Sequence, residues 1–484
     1  MVAIDLIIRG ATLIDGTGGV PFEADVAVAG DRIAMIGGVP EAVSAREVDA
    51  RGLVLAPGFI DAHTHDDRAV LEPPAAMACK LSQGVATVIV GNCGVSLSPL
   101  LSDRRPVAPL DLLGDERWWR YDSFAAYAKQ LAHRPPAVNV LAFVGHISLR
   151  ARVMGDDLAR AADASEIARM RALLEEALEQ GAAGFSSGLA YPPARAAPTE
   201  ELIEIGRPLE KYDGLYVTHM RDEGDGVIDS IEESAAIGRA IGCATVISHH
   251  KCALRENFGR SIVTLKLIDT AAKGQQLDFD VYPYAASSTA LLLELLRDDL
   301  PVRITWSEPV PEAAGRMLDD LAREWGVSLA DAARRLQPAG AVYFSMDEVD
   351  VQRILAHPAA MVGSDGLPHD ERPHPRLWGT FPRVLGHYAR DLGLFPLETA
   401  VHKMTGLTAK IFGLRDRGVI REGAFADLVL FDPGTIIDRA TFDDPARRSD
   451  GIVELWVNGR TAWRYDGGPS PEGTGRLLRR YPAV

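Results

Sequence analysis

The chain has 484 residues, 47% hydrophobic, 24% charged and 7% aromatic, which is the balance of an ordinary globular protein with one large α/β domain and a smaller accessory one. Its formal charge of −16 argues against nucleic acid or an anionic membrane as the main partner. Four cysteines are too few for a disulfide framework, no apolar run reaches membrane-spanning length, and "MVAIDLIIRG" lacks the features of a signal peptide, so the expected compartment is the cytoplasm.

The first fifty residues read as short strands broken by glycine turns, "DLIIRGATLIDGTG" and "ADVAVAGDRIAMIGG". A matching set lies at the far end, "ADLVLFD" (426–432) and "GIVELWVNG" (451–459). The two ends are therefore expected to build one small β domain, residues 1–54 with 416–484, and the stretch from Asp466 onward reads as a tail. Between them, over 55–415, eight apolar runs alternate with helical patterns: 53–65, 86–93, 138–147, 182–189, 215–220, 244–250, 276–284 and 359–365. Helix-like stretches such as 164–181 and 225–242 end in glycine, as a helix stop would. This alternation predicts a (β/α)₈ barrel. About seventy residues separate the last two strands, far beyond an ordinary loop. The segment at about 285–345, helical within 303–340, is expected to be an insertion over the barrel mouth.

In such a barrel the active site lies at the carboxyl ends of the strands. There the sequence collects His63 and His65 ("APGFIDAHTHDD"), Cys93, His146, His219, His249, His250 and Asp365. On a regular strand His63 and His65, two residues apart, point to the same side. The pair either shares a ligand or is a coincidence of a polar turn. Any one of these residues alone is ordinary. Imidazole, thiolate and carboxylate converging on one rim are together a zinc ligand set.

The chain resembles the amidohydrolase superfamily and, more narrowly, the N-acyl-D-amino-acid deacylases (D-aminoacylases). The resemblance runs nearly end to end and rests on "PGFIDAHTHDD", "VIVGNCGVS" (88–96), "THMRDEGDG" (218–226), "ISHHKC" (247–252), "VGSDGLP" (362–368) and "RPHPRLWGTFPRVLG" (372–386). It implies a tight zinc site at Cys93, His219 and His249, and a second, weaker or unoccupied position at His63, His65 and Asp365. Many relatives bridge two metals with a strand-four lysine. Here strand four reads "GFSSGLAYPP", without lysine or acid, and Cys93 is expected to take that place.

The resemblance further implies hydrolysis of N-acyl-D-amino acids, with Asp365 as general base and then acid. Lys251, Tyr282 and Arg376 would receive the substrate carboxylate. Lys251 follows His249 by two residues and would face the same side of a regular strand. The leucine-rich "STALLLELLRDD" (288–299) points to neutral or hydrophobic side chains, whereas an acidic one would call on Arg297 or Arg303. The alternatives are an N-acyl-D-glutamate or N-acyl-D-aspartate deacylase, a dihydropyrimidinase-like cyclic-amide hydrolase, and a non-catalytic scaffold. His146, His250, Cys79 and Cys243 are read as structural, and Cys252, which neighbours the site, is assigned no role.

Overall fold

The computed structural model describes residues 3–39 and 45–481. Eight short parallel strands, almost wholly buried, form its centre: β1 Phe59–Asp61, β2 Val85–Val90, β3 Asn139–Ala142 continued by Val144–Gly145, β4 Gly184–Gly188, β5 Leu215–His219, β6 Thr245–Ile247, β7 Leu277–Val281 and β8 Ala360–Val362. Each pairs with the next in parallel register. The ring closes where the Ala62 amide donates to the Val362 carbonyl at 3.2 Å and Thr64 bridges Gly366. This is a closed (β/α)₈ barrel. Strand side chains alternate inward and outward. Leu215 and Val217 share the parity of His219 and pack with Ile60, Ile89, Leu141, Val246 and Met361 in one apolar cluster that Phe412 joins.

The helices follow their sequence signals. Ala164–Gln180 starts on a capping box, with the Asp163 carboxylate accepting from the Glu166 amide and Glu166 reaching back, and stops at Gly181 in the left-handed conformation. Val227–Ile241 stops the same way at Gly242.

Both chain ends contribute to a second, nine-stranded sheet. Leu6–Leu13, Phe22–Ala29, Arg32–Gly37, Arg46–Asp49 and Val54–Pro57 come from the front, and Leu428–Phe431, Ile452–Val457, Arg460–Arg464 and Gly468–Pro469 from the back. The halves meet where Val54–Pro57 pairs antiparallel with Leu428–Phe431.

Two expectations need correction here. Residues 53–65 are not one strand: Val54–Pro57 belongs to the terminal sheet and Phe59–Asp61 to the barrel, with the switch at Gly58. A Cβ on Gly58 would lie 2.4 Å from that of Ala86, so only glycine lets the chain pass there. The stretch after Asp466 is no loose tail either. The Gly475 amide donates to Pro136 O at 2.8 Å, and that of Leu478 to Val140 O at 2.7 Å, which docks the segment beside β3.

Between β7 and β8, strands Ser287–Ala290, Val302–Ser307 and Ala339–Tyr343 form an antiparallel sheet with the last of them central. Helices Leu318–Trp325 and Leu329–Leu336 cover it, and the unit has its own core of Ile304, Leu318, Leu321, Leu336 and Ala341. Among the described residues no helix is long and apolar enough to cross a membrane.

Candidate metal centre

The predicted ligands all sit at the carboxyl ends of the barrel strands. His219 is the last residue of β5, while His249 follows β6 by two residues, and Cys93 and Asp365 follow β2 and β8 by three. Strand alternation does not bring His63 and His65 together, because β1 has ended at Asp61. Their segment is instead threaded between β2 and β8: the Thr64 amide donates to Ile89 O at 3.1 Å, and the Asp365 amide to His63 O at 2.8 Å. The same correction applies to Lys251, since His249 has φ +37° and the chain leaves the strand before it. Cys93, His249 and Asp365 are three of the seven described non-glycine residues with positive φ. Backbone strain of this kind persists where the surroundings hold it, and it gathers at functional sites.

Two donor groups result, each with its ligand atoms within 4.8 Å of one another: His63, His65, Cys93 and Asp365; and Cys93, His219 and His249. Cys93 belongs to both. Its Sγ is 3.2 Å from His63 Nε2 and 3.4 Å from His249 Nε2. Asp365 Oδ1 lies 3.2 Å from His65 Nε2 and 3.6 Å from His63 Nε2. Burial opposes ionisation of Cys93, but the imidazoles of His63 and His249 outweigh it and hold the thiol well below its ordinary value. Burial likewise opposes the charge on Asp365, and Arg376 and His249 overcome it. A buried thiolate among imidazoles and a carboxylate suits zinc. On β4 the serines are spent structurally: Ser186 Oγ donates to Gly91 O at 2.5 Å, and Ser187 Oγ bonds the Tyr216 hydroxyl at 2.7 Å.

Lys251, Tyr282 and Arg376 reach the same site. The Lys251 ammonium and the Arg376 guanidinium stand 5.6 and 4.5 Å from the Tyr282 ring centroid. The Tyr282 hydroxyl and Arg376 Nε are buried without a hydrogen-bond partner. Arg376 Nη1 also lies 2.8 Å from Asp365 Oδ2, and Nη2 donates to Ser288 O at 2.9 Å, which links the guanidinium to the insertion.

The other titratable residues singled out in the sequence stay outside the donor groups. His250 bonds Thr264 at 2.9 Å. His146 begins a helix, with Nε2 3.0 Å from Glu201 beside Arg150. Cys79 is buried, and burial pushes its thiol up to about 12. Arg303 pairs with Asp443, and Arg297 donates to the carbonyls of Glu294 and Leu296.

Sequence reasoning missed the groups that support the ligands. Asp280, at the end of β7, accepts from the His249 amide at 2.9 Å and places Oδ2 3.4 Å from His63 Nδ1. Glu223, four residues after His219 in "THMRDEGDG", contacts His249 and Lys251. His374 holds the loop of Arg376, accepting its amide on Nδ1 at 2.9 Å. Beneath the centre, the wholly buried Lys80 donates to Asp61 at 2.7 Å and Ser364 at 2.6 Å and lies 3.3 Å from Asp66. Asp61 in turn accepts from the Ser364 amide at 2.7 Å, which ties β1 to the segment bearing Asp365. Lys80→Met leaves two buried carboxylates without a counter-charge. It is expected to cost about 3–5 kcal/mol in denaturant unfolding; a loss below about 1 kcal/mol contradicts this reading of the cluster.

The sequence pattern described as "Amidohydrolase family" matches residues 46–259 and 298–462. The chain is 54% identical to the D-aminoacylase of Alcaligenes xylosoxydans xylosoxydans over 479 residues, 99% of this chain and 98% of the relative. It is 51% identical to the N-acyl-D-aspartate deacylase of the same organism, over 95% and 92% of the two chains. Among solved structures it superposes with a TM-score of 0.94 on the N-acyl-D-glutamate deacylase of Bordetella bronchiseptica, which was crystallised with zinc and a phosphonate mimic of the tetrahedral intermediate. That protein shares 47% identity, with 98% of this chain and 99% of the other covered.

Proposed function

This chain belongs to the amidohydrolase family, and on that premise we propose that it hydrolyses the amide bond of N-acyl-D-amino acids, releasing a carboxylate such as acetate and a free D-amino acid. The observation that carries this is the complete donor set around Cys93, in a chain related end to end to deacylases of that class. Zinc would be held tightly by Cys93, His219 and His249, and the position formed by His63, His65 and Asp365 would hold it more weakly or not at all. When bound, zinc polarises the amide carbonyl and acidifies the attacking water.

The protein's own groups do the rest. Asp365 accepts the proton of the attacking water on its carboxylate and returns it to the leaving amine nitrogen. Arg376, Lys251 and the Tyr282 hydroxyl receive the substrate's α-carboxylate; the unpartnered donors of Tyr282 and Arg376 support this. The D configuration comes from the relatives. A dihydropyrimidinase-like reading is disfavoured, because it relies on a strand-four lysine where this chain has Ser186 and Ser187.

Neutral or hydrophobic side chains are favoured over D-glutamate and D-aspartate. Arg297 and Arg303 are engaged elsewhere, and the strand carrying Ser288 runs from Arg376 into the buried Leu291 and Leu292. Steady-state amine release should give a higher kcat/KM for N-acetyl-D-leucine or N-acetyl-D-methionine than for N-acetyl-D-glutamate. The reverse order overturns this preference.

The domain reading goes with the proposal once its first boundary is moved to the switch at Gly58: a barrel over 58–415 with an insertion at about 285–345, and residues 1–57 with 416–484 as a small β-sandwich. Its support is the one-sided apolar cluster of the terminal sheet, in which Ile8, Leu13, Val26 and Leu55 pack with Leu428, Leu430 and Trp456.

A further inference from the structure

Glu223 belongs to neither donor group, yet it sits where the metal and substrate residues meet. Its Oε1 is 2.9 Å from His249 Nδ1 and 2.5 Å from Lys251 Nζ, and those two nitrogens are 2.8 Å apart. The carboxylate is held on a pinned loop. The Glu223 carbonyl accepts from the Ala253 amide at 2.7 Å, which ties the loop after β5 to that after β6, and Asp222 closes a turn onto the Gly224 amide at 2.7 Å.

The proton arrangement follows from donor chemistry. His249 turns Nε2 toward Cys93 Sγ, so a metal there needs the Nε2 lone pair, and Nδ1 must carry the proton. A protonated Nδ1 needs an acceptor. The Lys251 ammonium has only donors to offer, so both nitrogens converge on Glu223. Carboxylates behind metal-bound imidazoles fix tautomer and ring orientation in this way.

We propose that Glu223 is a positioning residue serving two subsites at once: it holds His249 as a metal ligand through Nδ1–H, and it holds the Lys251 ammonium where the substrate carboxylate arrives. The second half rests on the deacylase reading above; the first does not.

The test separates the halves by comparing Glu223→Gln, Glu223→Ala, Lys251→Met and the double variant Glu223→Ala/Lys251→Met as purified holoenzymes. Zinc release to a chelator and KM for N-acetyl-D-leucine are both measured. Glutamine still accepts from Nδ1–H but carries no charge for Lys251. Glu223→Gln should therefore keep zinc at the parent rate and raise KM about tenfold, with kcat nearly unchanged. Glu223→Ala should release zinc about 10–100-fold faster and raise KM as well. Lys251→Met should raise KM with zinc retention unaltered. In the double variant the loss of Glu223 should add nothing further to KM but still free the zinc.

Zinc retention in Glu223→Ala equal to the parent, or glutamine failing as badly as alanine, overturns the His249 half. Additive effects on KM overturn the Lys251 half. Zinc release as expected in a parent chain without amine release overturns the deacylase reading and leaves the His249 half standing.

Discussion

Asp365→Ala is expected to abolish turnover while leaving tightly bound zinc in place. The carboxylate is the only acid in either donor group, and it stands 3.2 Å from His65 on one side and 2.8 Å from Arg376 on the other. Its removal takes away the group proposed to carry the proton from water to amine. General acid–base catalysis is worth about 10²–10⁴-fold, and one carboxylate here serves both directions, so kcat should fall by roughly 10³-fold or more. Asp365 is absent from the group formed by Cys93, His219 and His249, so zinc content should not change. Full activity in this variant sinks the acid–base assignment. Lost zinc would place Asp365 among the tight ligands instead.

Cys93→Ala removes the atom common to both donor groups and should cost the enzyme its tightly bound metal. β4 offers no replacement, since Ser186 and Ser187 are both committed to structural hydrogen bonds. The two imidazoles that remain of the tight group, His219 and His249, fall short of the three protein ligands that hold zinc in catalytic sites. The expected result is a folded chain that loses zinc on dialysis and shows no amine release. Parent-level zinc after dialysis would show that the histidines suffice and that the thiolate is not the shared ligand proposed.

The six candidate ligands were legible because imidazole, thiol and carboxylate at the ends of apolar strands are conspicuous, and the alternation of strand and helix fixed which end of the barrel they share. The reason for their convergence was not legible. Regular strand geometry would have aligned His63 with His65 and His249 with Lys251. The structure uses a segment threaded between strands and left-handed backbone at Cys93, His249 and Asp365, features with no periodicity to detect.

Supporting groups were hidden for a different reason. Glu223 and Asp280 are acids next to ligand-bearing strands, where an acid reads equally well as a solvated turn residue. Lys80 reads as an ordinary helix residue, and its burial against Asp61 and Asp66 depends on chain segments far away in sequence. The division of residues 53–65 between two sheets was masked by its unbroken apolar pattern, with Gly58 the one signal of the switch.

The most direct test of the account is amine release from matched N-acetyl-D- and N-acetyl-L-amino acids, with zinc determined on the same sample. Turnover confined to the D series, with about one zinc per chain, is the predicted result. Zinc present with no turnover on either series, or turnover of the L series alone, would contradict it.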